Sequence, residues 1–362
     1  MATGAAPILA IRGLSKSFGA TAVLHEVSLD VPRGAIVALL GASGSGKTTL
    51  LQAIAGLVEP DAGSIVLDGR EIGAAPAFER SVNMMFQSYA LFPHLSVADN
   101  IAYGLRARRA PRAEREQLVA WALDLVRLEG LGARRPEQLS GGQRQRVALA
   151  RCLVMKPTVL LLDEPMAALD RGLRAAVQRE LVGIQRRVGT TFILVTHDQD
   201  EAMAMADYVA VMDKGRIVQF GPPREVYEAP TTRFVASFLG TINLFEGQAV
   251  PGSPSGRGLA TADGLQVTAA APLPAAAAAC LGVRPEKMSL AREPTGLGND
   301  FPGTVEEVSY CGNLTYAVVR LNPARQLAVV VLNGTHGTRA GLAVGERVHV
   351  GFPPEALVAL PA

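Results

Sequence analysis

Gly41-Ala42-Ser43-Gly44-Ser45-Gly46-Lys47-Thr48-Thr49 fits the phosphate-loop pattern GxxxxGK[ST] in full. Its flanks have different periods. Ile36 to Leu40 is a short apolar run that reads as a buried strand, and Leu50, Ile54 and Leu57 follow at helical spacing. The loop therefore sits where a strand turns into a helix. Glycines there let backbone N–H groups curl around phosphate oxygens without a clashing Cβ. The helix start adds positive partial charge. Lys47 is placed to reach the β- and γ-phosphates of a nucleotide, and the Thr48 hydroxyl to bind Mg²⁺. A glycine-rich turn with no ligand shares the bare pattern, so the rest of the chain has to separate the two readings.

The chain has 362 residues, room for two domains or more, and is 49% hydrophobic, enough for real cores. Its formal net charge of +2 leaves no electrostatic footprint for nucleic acid. Cys152, Cys280 and Cys311 have no paired spacing, which suits a reducing cytoplasm and argues against a disulfide framework or a zinc site. Met1 to Pro7 lacks the basic region and apolar core of a signal peptide. No uncharged apolar run approaches the roughly 20 residues that span a bilayer. The nearest, Ala269 to Leu281, is interrupted by Pro272 and Pro274. A membrane role is therefore expected to come through a partner.

Ile8 to Val31 alternates apolar and polar residues and reads as antiparallel strands turning near Phe18-Gly19. Phe18 is either an aromatic that stacks on a nucleotide base or a core or edge aromatic. Val82 to Phe86 is an apolar strand ending at Gln87, an amide able to reach a Mg²⁺ or a water at the phosphates, or simply a surface loop amide. From Val97 to Gly130 the pattern is helical; the arginines from Arg106 to Arg115 are diluted by Glu114 and Glu116 and read as a solvated face. Leu139-Ser140-Gly141-Gly142-Gln143 opens a second helix with Ser140 as its N-cap, a start with bare N–H groups that can bind an anion. Val159 to Leu162 is a buried strand delivering Asp163-Glu164 at its carboxyl end, where ligands bind in parallel α/β sheets. Asp163 suits Mg²⁺; Glu164 suits orienting or deprotonating a water. Phe192 to Val195 is a further buried strand, and it places His197 in the same topological position. Val209 to Met212 and Arg216 to Gln219 read as a hairpin around Asp213-Lys214-Gly215.

The phosphate loop, Gln87, Leu139 to Gln143, Asp163-Glu164, Ala168-Leu169-Asp170 and His197 together resemble the ATP-binding subunits of ABC transporters, over roughly residues 8 to 240. The resemblance implies an α/β fold of the P-loop NTPase class: a mixed-sheet core, an antiparallel β subdomain and a helical subdomain at about 88–155, all within an ATP-binding domain at 1–240. It implies ATP and Mg as cofactors and a head-to-tail dimer, each ATP lying between the phosphate loop of one chain and Ser140, Gly141, Gly142 and Gln143 of the other. By the same resemblance Phe18 stacks on adenine and Glu164 is the general base. Gln87 senses the γ-phosphate and Mg²⁺, with Thr48 and Asp163 as the other metal residues. His197 contacts the γ-phosphate, Asp170 lies in the loop crossing the dimer interface, and the loop Tyr89 to His94 receives a coupling helix from the membrane subunit. Two departures carry no needed charge: Ala42 stands where Pro is common and Ala167 where Ser is common.

After Gly240 the composition shifts to Gly, Pro, Ala and Ser, with strand-like runs at Gly282 to Lys287, Gly303 to Val308, Tyr316 to Leu321, Leu327 to Leu332 and Arg347 to Phe352. These suggest a small all-β barrel at 241–362. Gly282 to Lys287 resembles the accessory OB-like (TOBE) domain of importer ATPases. Phe238 to Gly247 and Asn83 to Asn100 look most like spermidine/putrescine-type ATPases. The expectation is an ATP-hydrolysing subunit at the cytoplasmic face of the inner membrane. Its partners would be permease subunits, an extracytoplasmic solute-binding protein and a second copy, with no nucleic acid. 2-Aminoethylphosphonate, ferric iron and sugars are the alternative solutes. A non-transport regulatory ABC ATPase is the alternative of another class.

Overall fold

The computed structural model describes residues 6–167, 171–250, 257–273, 278–333 and 341–361. The chain divides into two compact units, Met1–Arg224 and Glu225–Ala362.

The first unit contains β1 (Leu9–Phe18), β2 (Thr21–Val31), β3 (Ile36–Gly41), α1 (Lys47–Ala55), β4 (Ala62–Leu67), β5 (Arg70–Glu71) and β6 (Val82–Met85). It continues through α2 (Val97–Ala107), α3 (Arg112–Leu125), α4 (Gly141–Leu153), β7 (Val159–Asp163), α5 (Arg171–Val188), β8 (Thr191–Thr196), α6 (Gln199–Met205), β9 (Tyr208–Asp213) and β10 (Arg216–Gly221). One sheet, in the order β2-β1-β4-β5, is antiparallel. The other, β10-β9-β3-β8-β7-β6, is parallel except for the edge hairpin β9–β10. The parallel strands read as continuous apolar runs because both faces are covered; Ile36 to Gly41 and Thr191 to Thr196 are buried throughout.

The register of the parallel strands positions the site. Leu40 pairs with Thr196, Asp163 with Val195, and Met85 with Leu162. The carboxyl ends of β3, β8, β7 and β6 therefore finish level, side by side, and hand the chain to the phosphate loop, His197, Glu164 and Gln87 in that order.

The helical stretch expected from Val97 to Gly130 is two helices. Pro111 removes a backbone donor and disfavours helical backbone at Ala110, and Arg109 sits at φ +55. Two further short helices, α7 (Pro223–Glu228) and α8 (Arg233–Phe238), went unread in the sequence, since neither is long enough to show a period.

The second unit is built on β11 (Asn243–Ala249), β12 (Gly258–Thr261), β13 (Gln266–Thr268), β14 (Ala278–Val283), β15 (Ser289–Ala291), β16 (Asn299–Tyr310), β17 (Leu314–Asn322), β18 (Arg325–Leu332), β19 (Arg347–Phe352) and β20 (Leu357–Leu360). They form two antiparallel five-stranded sheets, β13-β12-β11-β14-β20 and β15-β19-β16-β17-β18. One core serves both, with Phe245, Phe301 and Phe352 in contact. The strand expected at Gly282 to Lys287 stops at Val283. Pro285 cannot donate to a ladder and opens a 3₁₀ turn over Pro285–Lys287. Between them Arg284 is 3% exposed and donates to the carbonyls of Ala236, Gly240 and Thr241.

Asp263, in the β12–β13 turn, accepts two hydrogen bonds from Arg325 at the start of β18, at 2.9 and 3.0 Å, with side chains 9% and 19% exposed. These bonds hold the Asp263 carboxyl well below its usual range. Its contribution to stability is thus complete above the ordinary carboxylate pKa and lost as pH falls toward the depressed folded value. Asp263→Asn is expected to destabilise the second unit by about 2 kcal/mol at pH 7, since it leaves a half-buried guanidinium without its counter-charge. In chemical denaturation the gap between variant and parent should narrow as pH is lowered below 4; a gap that is constant with pH contradicts the assignment.

Candidate active site

The phosphate loop is shaped by three glycines. A Cβ on Gly41 would lie 2.4 Å from the Met212 carbonyl oxygen and 2.7 Å from Ser45 Oγ. Gly44 and Gly46 hold φ values of +77 and +98, in the left-handed region that side chains disfavour. Gly46 is also the N-cap of α1, so the exposed start of that helix faces the loop's interior. Gly215, in the β9–β10 turn, donates to the Ser45 carbonyl at 3.1 Å and braces the loop from outside.

Lys47 is 7% exposed and folds back over its own loop. Its ammonium donates to the carbonyls of Gly41 at 2.7 Å and Ala42 at 2.8 Å, and lies 3.4 Å from Ser45 Oγ. Burial lowers its pKa, while Glu164 and Asp163 oppose that shift. A buried cation held by two carbonyls and a hydroxyl has the charge an arriving phosphate needs. Thr48 and Thr49 continue the helix. Thr48 Oγ1 donates to Asp163 Oδ1 at 3.4 Å.

Asp163 ends β7 and Glu164 follows it. Burial and the neighbouring Glu164 charge push the Asp163 carboxyl up. Two adjacent carboxylates beside a threonine hydroxyl form an all-oxygen donor set that a hard divalent cation relieves, so the residues fit Mg²⁺. Glu164 has φ +43, rare for a side chain of its kind, and such strain concentrates at functional sites. Its carboxylate lies between the two neighbouring strand ends: Gln87 Nε2 donates to Oε2 at 3.1 Å, and His197 Nδ1 faces Oε1 at 3.1 Å. Lys47, Thr48, Asp163, Glu164, Gln87 and His197 thus come from four strand ends into one cluster.

Ser140 to Gln143 and Phe18 make no bond to that cluster among the described residues. Ser140 caps α4, accepting from the Gln143 N–H at 3.3 Å, and the Gln143 side chain accepts from the Ser140 N–H at 2.9 Å. This capping box leaves the N–H groups of Gly141 and Gly142 without partners among the described residues. Phe18 is 51% exposed at the β1–β2 turn, with Lys16 Nζ 5.6 Å from its ring centre; it is not a core aromatic. Asp170 lies outside the described residues, as do Ala168 and Leu169.

A buried polar network supports the His197 loop and was not read in the sequence. Thr196 Oγ1 donates to Glu201 Oε2 at 2.6 Å and accepts from the Asp198 N–H at 2.9 Å. Asp198 caps α6 by accepting from the Glu201 N–H at 3.2 Å, and Arg174 of α5 pairs with it at 3.2 Å. Burial raises the Glu201 pKa. Asp198 with Glu201 three residues later is a capping pattern that could have marked this helix start.

Comparison with known proteins places this geometry in a family. The ABC transporter family model matches residues 24–167, and the TOBE domain model matches residues 281–360. The chain is 45% identical to the putrescine transport ATP-binding protein PotG of Escherichia coli (strain K12), over 98% of this chain and 95% of that one. It is 45% identical to the spermidine/putrescine import ATP-binding protein PotA of Acidothermus cellulolyticus, over 96% and 93%. Among solved structures, cbiO1 from Clostridium perfringens, part of the ABC transporter complex cbiONQ, is 34% identical with a TM-score of 0.58, covering 61% of this chain and 91% of that one.

Lys47→Ala should abolish the buried ammonium while leaving the loop's glycines in place. The expected result is a loss of ATP affinity of at least about 100-fold in a calorimetric titration, in line with losing a charge-assisted contact worth about 3 kcal/mol. Unchanged affinity contradicts the phosphate-loop reading.

Proposed function

The chain belongs to the ATP-binding subunits of ABC transporters, and from that premise we propose that it powers the import of polyamines, spermidine or putrescine. As a member of that family it binds and hydrolyses ATP. One observation carries the chemistry: a single carboxylate, Glu164, stands between Gln87 and His197 beside the phosphate loop. The solute class follows from relatives named for spermidine and putrescine along almost the full length of the chain.

The proposed reaction is in-line attack of water on the γ-phosphate. Lys47 leaves its loop carbonyls for the β- and γ-phosphates, and the loop N–H groups hold the remaining oxygens. Thr48, Asp163 and Gln87 would hold Mg²⁺, which when bound supplies neutralisation of phosphate charge. Gln87 turning to that position releases Glu164 Oε2, which takes the proton from the attacking water. His197, with Nδ1 toward Glu164, keeps Nε2 for the γ-phosphate.

Residues 1–240 act as the ATP-binding domain and 241–362 as the accessory domain in this reading. Two copies associate head to tail, so that Ser140 to Gln143 of one chain meet the ATP of the other and Asp170 lies at their junction. The N–H groups of Gly141 and Gly142 support that reading, since they find no acceptor among the described residues. Among the described residues no helix is long and apolar enough to cross a membrane, so permease subunits provide the path and the chain works at the cytoplasmic face of the inner membrane. An extracytoplasmic solute-binding protein completes the importer, and nucleic acid has no part in it.

Glu164→Gln should keep ATP binding, trap the dimer and lower turnover by at least about 100-fold, the range for removing a general base. Turnover at the parental rate removes Glu164 from that role. The solute is tested by uptake of labelled spermidine and putrescine in cells that carry the cognate permease and binding subunits with either the parent or Glu164→Gln. Uptake lost only in the variant is expected. Equal uptake in both discards polyamines and moves the assay to 2-aminoethylphosphonate, iron and sugars.

A further inference from the structure

Gln145 lies on the second turn of α4, five residues after the Ser140 cap. It is 2% exposed, on the same face as Ala148, Leu149 and Cys152. A primary amide in an apolar stripe is costly unless its hydrogen bonds are made. Its Nε2 donates to the Pro165 carbonyl at 3.1 Å, while its Oε1 is buried without a partner. Half of its hydrogen-bonding capacity is thus given up in order to make one contact.

That contact falls on the residue next to Glu164. Besides the burial of Pro165 and Met166, two backbone bonds restrain the turn after β7 among the described residues: the Glu164 N–H donates to the Val195 carbonyl at 3.1 Å and the Ala167 N–H to the Glu164 carbonyl at 3.2 Å. Yet Glu164 is held at φ +43, a conformation that persists only when the surroundings over-determine it. Pro165 has no N–H of its own, so its carbonyl is the one backbone hydrogen-bonding group that this residue offers. Releasing that carbonyl would let the turn relax and carry the Glu164 carboxylate away from Gln87 and His197.

We propose that Gln145 is a positioning residue for Glu164: its buried amide clamps the Pro165 carbonyl and so fixes the strained turn that aims the general base. Because Gln145 rides on the helix begun by Ser140, the clamp also ties the Ser140–Gln143 segment to Glu164 of its own chain. The inference rests on the ATPase reading above. It requires no contact between Gln145 and nucleotide, so its loss acts on turnover and leaves binding alone.

The test uses the full chain and two variants. Gln145→Met keeps the volume and removes the donor. Gln145→Glu keeps the shape and donates only when protonated, and burial raises a carboxyl pKa toward neutrality. Expected for Gln145→Met is a kcat lowered by about tenfold or more, with KM for ATP and ATP affinity within about twofold of the parent, as for a base displaced by a fraction of an ångström. Gln145→Glu is expected to regain turnover as pH is lowered from 8 to 6, relative to Gln145→Met at each pH. Parental kcat in Gln145→Met overturns the proposal. So does a parallel loss of turnover and ATP affinity, a pH profile shared by both variants, or failure of both to fold, which would make the amide structural only. A parental chain that binds ATP without hydrolysing it would instead defeat the ATPase reading, so the two failures are distinguishable.

Discussion

The parallel ladder of β3, β8, β7 and β6 is the constraint on which the first unit depends. Neighbouring strands in a sheet lie about 4.8 Å apart, and their register here ends all four at one level. Residues far apart in the chain, Gln87, Glu164 and His197, are therefore delivered within one side-chain length of each other. A slip of one residue in any of these strands would exchange its two faces, breaking their packing and turning its terminal residue away. The buried runs of Ile, Val and Leu thus fix the site's geometry as well as the unit's stability.

Charge gives that edge its character. Lys47 is buried with carbonyls for partners, and Asp163 is pushed up by burial and by Glu164. Neither group is fully neutralised: the ammonium and the two carboxylates attract one another across the edge but form no direct ion pair among the described residues. A nucleotide bringing phosphates together with a divalent ion completes both at once. Glu164 meanwhile is held by the two residues that the proposed reaction assigns to metal and phosphate. The same contacts that fill the edge without nucleotide must be exchanged when nucleotide arrives, which gives ligand binding a direct handle on the base.

The second unit has a different logic. Its two sheets share an aromatic and aliphatic core, and its buried polar groups, Arg284 on the carbonyls of 236–241 and Asp263 on Arg325, are satisfied mostly within the unit. Its described residues bring together no counterpart of the cluster at Glu164. The likeness to polyamine import ATPases spans this unit as well as the first, while the cluster around Glu164 lies on one sheet edge.

The sequence by itself determined the phosphate loop, the apolar strands that precede Gln87, Glu164 and His197, and the Ser140 cap. Each is a local signal: a glycine pattern, a short run of apolar residues, a hydroxyl three residues before an amide. It also marked the change of architecture after Gly240 through turn residues. It could not show the break at Arg109 as a left-handed residue, nor α7 and α8, which are too short to display a period. The network of Thr196, Asp198, Glu201 and Arg174, and the bond from Gln145 to Pro165, were decided only by tertiary structure. Their partners lie on different elements, and a buried polar side chain carries no mark in sequence of which carbonyl or hydroxyl it will meet. Strand order belongs to the same class, because the apolar runs of β3, β6, β7 and β8 are nearly interchangeable as sequence, and only packing against the helices and neighbouring strands selects which lies beside which.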